Sequence, residues 1–301
     1  MKIAFILLCH KNSSQINRLI DKLKEFDSEI FIHCDLKNYD ISNSIFKSEN
    51  VHILPREESF NIRWGGTEMI SATLSLLKNV KKYSDKYKIK FDYIWLLSGQ
   101  DYIIQNPKNI VDILNRDKTI NYIDITPKNT NKYREYLKRC ETKYYNVGWI
   151  TQNKMTIKII KRIYMLLTGG FMHTFNFIKR KKPFEGDFYF GSQWWTITND
   201  CAEYIIKYCD NNEKYVEFFR NTLVPDESFF QTILMNSKYK DTIKENLTYV
   251  NWGKNNRSPE TLVTKDFEFL LNQNTKYFFA RKFNYNVDKN IFDLIDKLIK
   301  N

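Results

Sequence analysis

Residues Ile3–Cys9 form an unbroken apolar run, Ile-Ala-Phe-Ile-Leu-Leu-Cys, and no other segment limits the fold as strongly. The run is far shorter than the roughly 20 residues needed to span a bilayer. It also passes straight into His10-Lys11-Asn12, with no small-residue cleavage site of the secretory type. It therefore reads as a buried first strand. Ile16, Leu19, Ile20 and Leu23 follow at the i, i+3, i+4, i+7 spacing of a helix that buries one face. Residues 29–35 and 51–55 read as strands, residues 67–82 as a helix, and Tyr93–Ser98 as the most apolar strand of all. Asn106-Pro107 opens another helix: Asn can cap free amides, and proline at the first helical position lacks only a hydrogen that would be unpaired anyway. Residues 122–126 make a further strand. Such alternation predicts an α/β fold with a mostly parallel central sheet flanked by helices.

Beyond residue 127 the pattern changes. Residues 128–185 show weak periodicity and read as an inserted acceptor-recognition element or membrane-facing flap. Residues 188–198 read as a strand, 226–235 as a helix entered through Pro225, 247–252 as a strand, 265–271 as a helix, and the region from Val287 onward as a last helix. With 301 residues and 43% apolar content, one compact domain is expected. Its parts are a nucleotide-binding half (1–127), a variable basic insertion (128–186) and an acceptor and catalytic half (187–301). Five cysteines, an odd number without CxxC spacing, behave as small hydrophobes and fit a reducing cytosol.

The net charge of +12 admits nucleic acid, anionic lipid or an anionic substrate. No helix-turn-helix, zinc-finger or RNA-binding aromatic motif supports the first. From Thr142 to Phe184 there is no Asp or Glu, and Lys154, Lys158, Lys161, Arg162 and Lys179-Arg180-Lys181-Lys182 flank apolar Ile159, Ile163 and Leu167. A basic, partly amphipathic segment of this kind suits an anionic membrane surface.

Four islands carry chemistry: Ser98-Gly99-Gln100-Asp101-Tyr102, Gly191-Ser192-Gln193-Trp194-Trp195, Pro225-Asp226-Glu227-Ser228-Phe229-Phe230 and Phe279-Ala280-Arg281-Lys282-Phe283. In this order they resemble the family that groups core-2/I-branching β-1,6-N-acetylglucosaminyltransferases with peptide O-xylosyltransferases, glycosyltransferase family 14. The resemblance extends from Ile3 to about residue 285 and points to a bacterial-type member. It implies a nucleotide-sugar-binding fold of the GT-A type and inverting transfer from a UDP-sugar to a glycan hydroxyl.

Inverting transfer needs one base facing the acceptor hydroxyl, an aid worth about 10²- to 10⁴-fold in rate. Glu227, read as standing at a helix start where free amides favour an ionised carboxylate, matches the family's base in the glucosaminyltransferase branch; Asp226 reads as a cap or orienting neighbour. Gln193 occupies the place where some xylosyltransferases hold an aspartate, and an amide cannot take up a proton. Trp194 and Trp195 would wall the sugar site, with strand alternation burying one of them. The departing diphosphate needs a metal or fixed cations. No Asp-x-Asp stands at a strand end, so no metal is expected, and Arg281 and Lys282 match the family's basic pair, with Lys265 as the nearest further cation. His10, His33 and Asp35 lie at the ends of parallel strands, the expected nucleoside rim; Ile32-His33-Cys34-Asp35 resembles the family's strand ending in His-x-Asp. Neither histidine has metal-ligand spacing. Arg63-Trp64-Gly65-Gly66 resembles the segment above the donor site, Asp101 matches an acid near the donor sugar, and Trp252 an acceptor-stacking tryptophan. UDP-N-acetylglucosamine is the expected donor, with UDP-xylose as the alternative because residues 258–283 sit closer to the xylosyltransferase pattern. The absence of a recognisable anchor predicts a cytoplasmic enzyme, peripheral on the membrane, acting on a glycan or lipid-linked glycan in surface polysaccharide synthesis.

Overall fold

The computed structural model describes residues 1–144, 179–253 and 258–300, together with Ile159, Ile163 and Leu167. Strands β1 (Ile3–Cys9), β2 (Ser28–Cys34), β3 (Val51–Ile53), β4 (Tyr93–Ser98), β6 (Asn121–Ile123), β7 (Trp195–Thr198) and β8 (Ile243–Lys244) form a seven-stranded sheet in the order β3-β2-β1-β4-β7-β6-β8. Only β7 runs against its neighbours. A second sheet joins β5 (Asp101–Ile103), β10 (Phe279–Arg281) and β9 (Thr248–Val250) in that order.

Alternation along β1 divides the core. Ile3, Phe5, Leu7 and Cys9 pack with helices α1 (Ser13–Leu23) and α3 (Pro107–Asn115) and the last helix, Asn290–Lys300. Ala4, Ile6 and Leu8 pack on the other face against α2 (Glu68–Tyr87) and the helix Asn199–Asn211. The α/β class and the mostly parallel sheet are those expected from the sequence.

Three local expectations are corrected. The extended run from Phe188 pairs as a strand only over Trp195–Thr198. Ahead of that, Phe190 accepts a backbone bond from Thr126, and a Cβ on Gly191 would lie 1.7 Å from the Asp124 carbonyl oxygen, so glycine alone fits there. Residues 131–141, where no clear helix is expected, form helix α4 (Asn131–Glu141), opened by the Thr130 side chain. Pro225–Glu227 is a separate 3₁₀ turn, and the helix Phe229–Met235 starts only after Ser228, whose φ of −144° breaks the run. Glu227 therefore gains nothing from a helix N-terminus.

Candidate active site

The parallel strands β1, β2 and β4 end at one rim, with β1 at the switch point between its neighbours, the usual place for a nucleotide in an open α/β sheet. Asp35 donates its backbone N–H to the Cys9 carbonyl at 2.8 Å, and its carboxylate accepts the Lys37 N–H at 3.0 Å. His10 stands beside it; burial and the Lys11 charge lower its pKa, against the pull of Asp35. His33 has a different role. It is fully buried, its Nε2 accepts the Phe60 N–H at 2.8 Å, and burial lowers its pKa to about 4. It is a neutral packing residue that ties β2 to the Phe60 segment, rather than a donor contact.

The register of β10 against β5 sets Arg281 opposite Asp101. Arg281 Nε lies 3.1 Å from Asp101 Oδ1; the N–H is not aimed at that oxygen, so the contact is an ion pair and not a hydrogen bond. Asp101 is wholly enclosed and accepts the Ser98 N–H at 2.7 Å and the Ser98 hydroxyl at 3.1 Å. Burial pushes its carboxyl up, while Arg281 and Ser98 pull it back toward the ionised form. Asp101, the acid expected near the donor sugar, is the buried counter-charge of Arg281. The guanidinium also lies 3.9 Å from the ring centre of Trp194, which is buried like Trp195. Trp195 packs against Phe230, so it belongs to the core, and Trp194 forms a floor under Arg281.

Lys282 follows on the rim. Partial burial and the charges of Arg281 and Lys11 lower its pKa. Lys11, exposed on the loop after β1, is a site candidate that pattern reading passed over. Gln15 is another. Its amide donates to the carbonyls of Gly99 at 2.8 Å and Phe283 at 3.2 Å and accepts the Tyr285 N–H at 2.9 Å, binding α1 to both segments that carry the Asp101–Arg281 pair. Lys265 sits exposed on the turn Thr264–Asp266, and none of the described contacts joins it to Arg281 or Lys282. Trp252, 43% exposed, lies one residue beyond Asn251, whose N–H bonds the Arg281 carbonyl.

Glu227 is reached through residues 191–194. The Gly191 N–H donates to the Glu227 carbonyl at 2.8 Å, and Trp194 underlies Arg281 three residues later, a span of at most about 10 Å of chain. Gln193 lies on this strap, its amide nitrogen buried without a partner among the described residues. The Glu227 carboxylate meets Arg139 Nη1 at 2.9 Å. Burial raises its pKa, opposed chiefly by Arg139. Arg63 pairs with Glu68 in a cleft between α2 and Arg220, and the carbonyl of Gly65 holds the Val224 N–H at 2.9 Å. Among the described residues no three His, Cys, Asp or Glu side chains gather where a metal ion could be held.

The sequence pattern of the core-2/I-branching enzymes matches residues 3–272 of the chain. The chain belongs to the core-2/I-branching enzyme family. Similar proteins include xylosyltransferase 1 of Rattus norvegicus, 23% identical over 99% of this chain and 35% of that protein, and of Homo sapiens, 24% identical over 98% and 30%. Xylosyltransferase oxt of Drosophila pseudoobscura pseudoobscura is 23% identical over 94% and 32%. The chain thus spans about a third of the length of these relatives. A solved structure described as WbbM bifunctional glycosyltransferase, apo form, aligns over 99% of this chain and 50% of its own at 11% identity, with a TM-score of 0.37. For this branching-family chain, then, the cations at the strand rim and the carboxylate beside Arg139 are the groups whose chemistry needs explaining.

Proposed function

We propose that this chain is an inverting, metal-independent glycosyltransferase that moves N-acetylglucosamine from its UDP donor to a glycan hydroxyl. The observation that carries the reading is the pairing of two unlike sites on one strap: crowded cations at Arg281 and Lys282, and a partly buried carboxylate at Glu227. Fixed cations stabilise the diphosphate as it leaves, each charge-assisted hydrogen bond contributing about 1.5–3 kcal/mol. Glu227 takes the acceptor proton, His10 and Asp35 face the nucleoside, and Trp252 offers a flat surface to the acceptor. A second reading, transfer from UDP-xylose, is favoured by the names of the relatives above. A panel of UDP-sugars with glycan acceptors tests both readings. Transfer from UDP-N-acetylglucosamine, persisting in excess EDTA, is the expected result; transfer only from UDP-xylose would install the second reading, and loss in EDTA restored by Mn²⁺ would overturn metal independence.

We also propose peripheral binding to the cytoplasmic face of an anionic membrane. Most of the basic segment lies outside the described residues, but Ile159, Ile163 and Leu167 fall at four-residue spacing on helical backbone and are 57%, 52% and 81% exposed. No helix among the described residues is long and apolar enough to cross a membrane. Of the basic run, Arg180 is a structural clamp: it donates to the carbonyls of Thr142 and Asn221 at 3.3 and 3.1 Å, and its charge is not offered to lipid. Leu167→Glu is expected to weaken binding to anionic vesicles, and added salt to do the same, since exposed charges are screened over about 10 Å at 0.1 M. Equal binding to neutral and anionic vesicles would refute the electrostatic part.

A further inference from the structure

Glu227 has an acidic neighbour on the same turn. Asp226 is almost entirely buried, and burial, aided by the Glu227 charge, pushes its carboxyl up to about 7. Two adjacent buried acids compete for one proton, and the outcome decides whether a base is present at neutral pH. The charged and titratable groups facing Glu227 come from α4: Arg139, Tyr136, which hydrogen-bonds the carboxylate, and, at longer range, Lys132; from the strap, the Gly191 N–H bonds the Glu227 backbone carbonyl. Arg139 is the only described cation in an ion pair with Glu227. Its Nη1 bonds Oε2, its Nη2 lies 3.6 Å from Glu135, and its guanidinium sits 4.2 Å from the ring centre of Tyr136. Ion pair and ring contact fix the guanidinium in one place, and the carboxylate keeps its other oxygen outside the pair.

We infer that Arg139 is a positioning residue for the transfer reaction, holding the Glu227 carboxylate in one orientation and favouring its ionised form. The inference rests on Glu227 being the base. It also explains how a partly buried carboxylate can stay ionised, since the pair lowers the cost of the buried charge.

The test is the pH dependence of kcat/KM for transfer in Arg139→Gln and Arg139→Lys, with UDP affinity measured alongside. Removing the cation should move the acid limb up by about one pH unit or more. Transfer at pH values below the limb should then fall roughly tenfold, recovering as the pH is raised above it, because below the limb each unit is a tenfold change in the ionised fraction. UDP affinity should be unchanged. Arg139→Lys keeps the charge and should return the limb to its native position. An Arg139→Gln enzyme with the same fractional loss at every pH, or an unmoved limb, would overturn the inference. Should Arg139→Gln not fold, a limb displaced in Arg139→Lys as well would equally overturn it. Glu227→Gln, run in parallel, separates the two claims: full turnover there removes the base itself, whereas an inactive Glu227→Gln with an unmoved limb in Arg139→Gln removes only the role of Arg139.

Discussion

Glu227→Gln should bind UDP and its sugar conjugates as tightly as the native chain and transfer sugar about 10²- to 10⁴-fold more slowly, the range typical of losing a general base. The amide keeps the side-chain shape, and its carbonyl can still accept the bond from Arg139 Nη1, so the fold around α4 should persist. What disappears is the proton acceptor. Single-turnover transfer with a verified acceptor, together with calorimetric titration of UDP, separates the two quantities. Native turnover in this variant would remove Glu227 from the mechanism.

Asp101→Asn should reduce stability more than any substitution of the exposed cations. The carboxylate is fully enclosed, its partner Arg281 has a side chain only 13% exposed, and removing one member leaves a buried charge without compensation. Breaking a buried pair in this way costs about 3–5 kcal/mol, which for a chain of this size lowers the melting temperature by roughly 5–10 °C. UDP binding should weaken too, since Asp101 holds the guanidinium in position. Lys282→Ala should leave the melting temperature nearly unchanged, because that side chain is no partner in a buried pair. If Asp101→Asn melts like the native chain, the enclosed pair is not what braces the rim.

The central parallel strands β1 and β4 were legible because they are strongly apolar, whereas β5, β8 and β10, two or three residues each, were not read as strands. Ile3–Cys9 and Tyr93–Ser98 carry no polar residue before Ser98, and their burial on both faces follows from that. Helix α4 was hidden by its own composition. Tyr133, Tyr136, Leu137 and Cys140 stand at i, i+3, i+4 and i+7, but tyrosine and cysteine among many lysines and arginines do not read as an apolar stripe, so Arg139 had no frame to place it beside Glu227. The motif islands say nothing of how individual side chains are oriented. A motif says which residues stay close along the chain; whether His33, Asp101 or Trp195 faces a ligand or the core depends on strand register and on the sheet lying over it. The pairing of Asp101 with Arg281 joins positions 180 residues apart, and nothing local in either segment announces it.

Gln15 sets the timing of the site's assembly. One amide in the first helix bonds the carbonyls of Gly99 and Phe283 and the N–H of Tyr285, so the cationic rim is closed by contacts spanning up to 270 residues. While the chain is being made, β1, β2 and β4 can pair early and Gln15 can reach the Gly99 carbonyl, but its bonds to Phe283 and Tyr285 form only once residue 285 has emerged. A nascent chain short of that residue therefore carries β1, β2 and β4 without a docked Arg281–Lys282 segment. The rim is completed only when that later segment joins it.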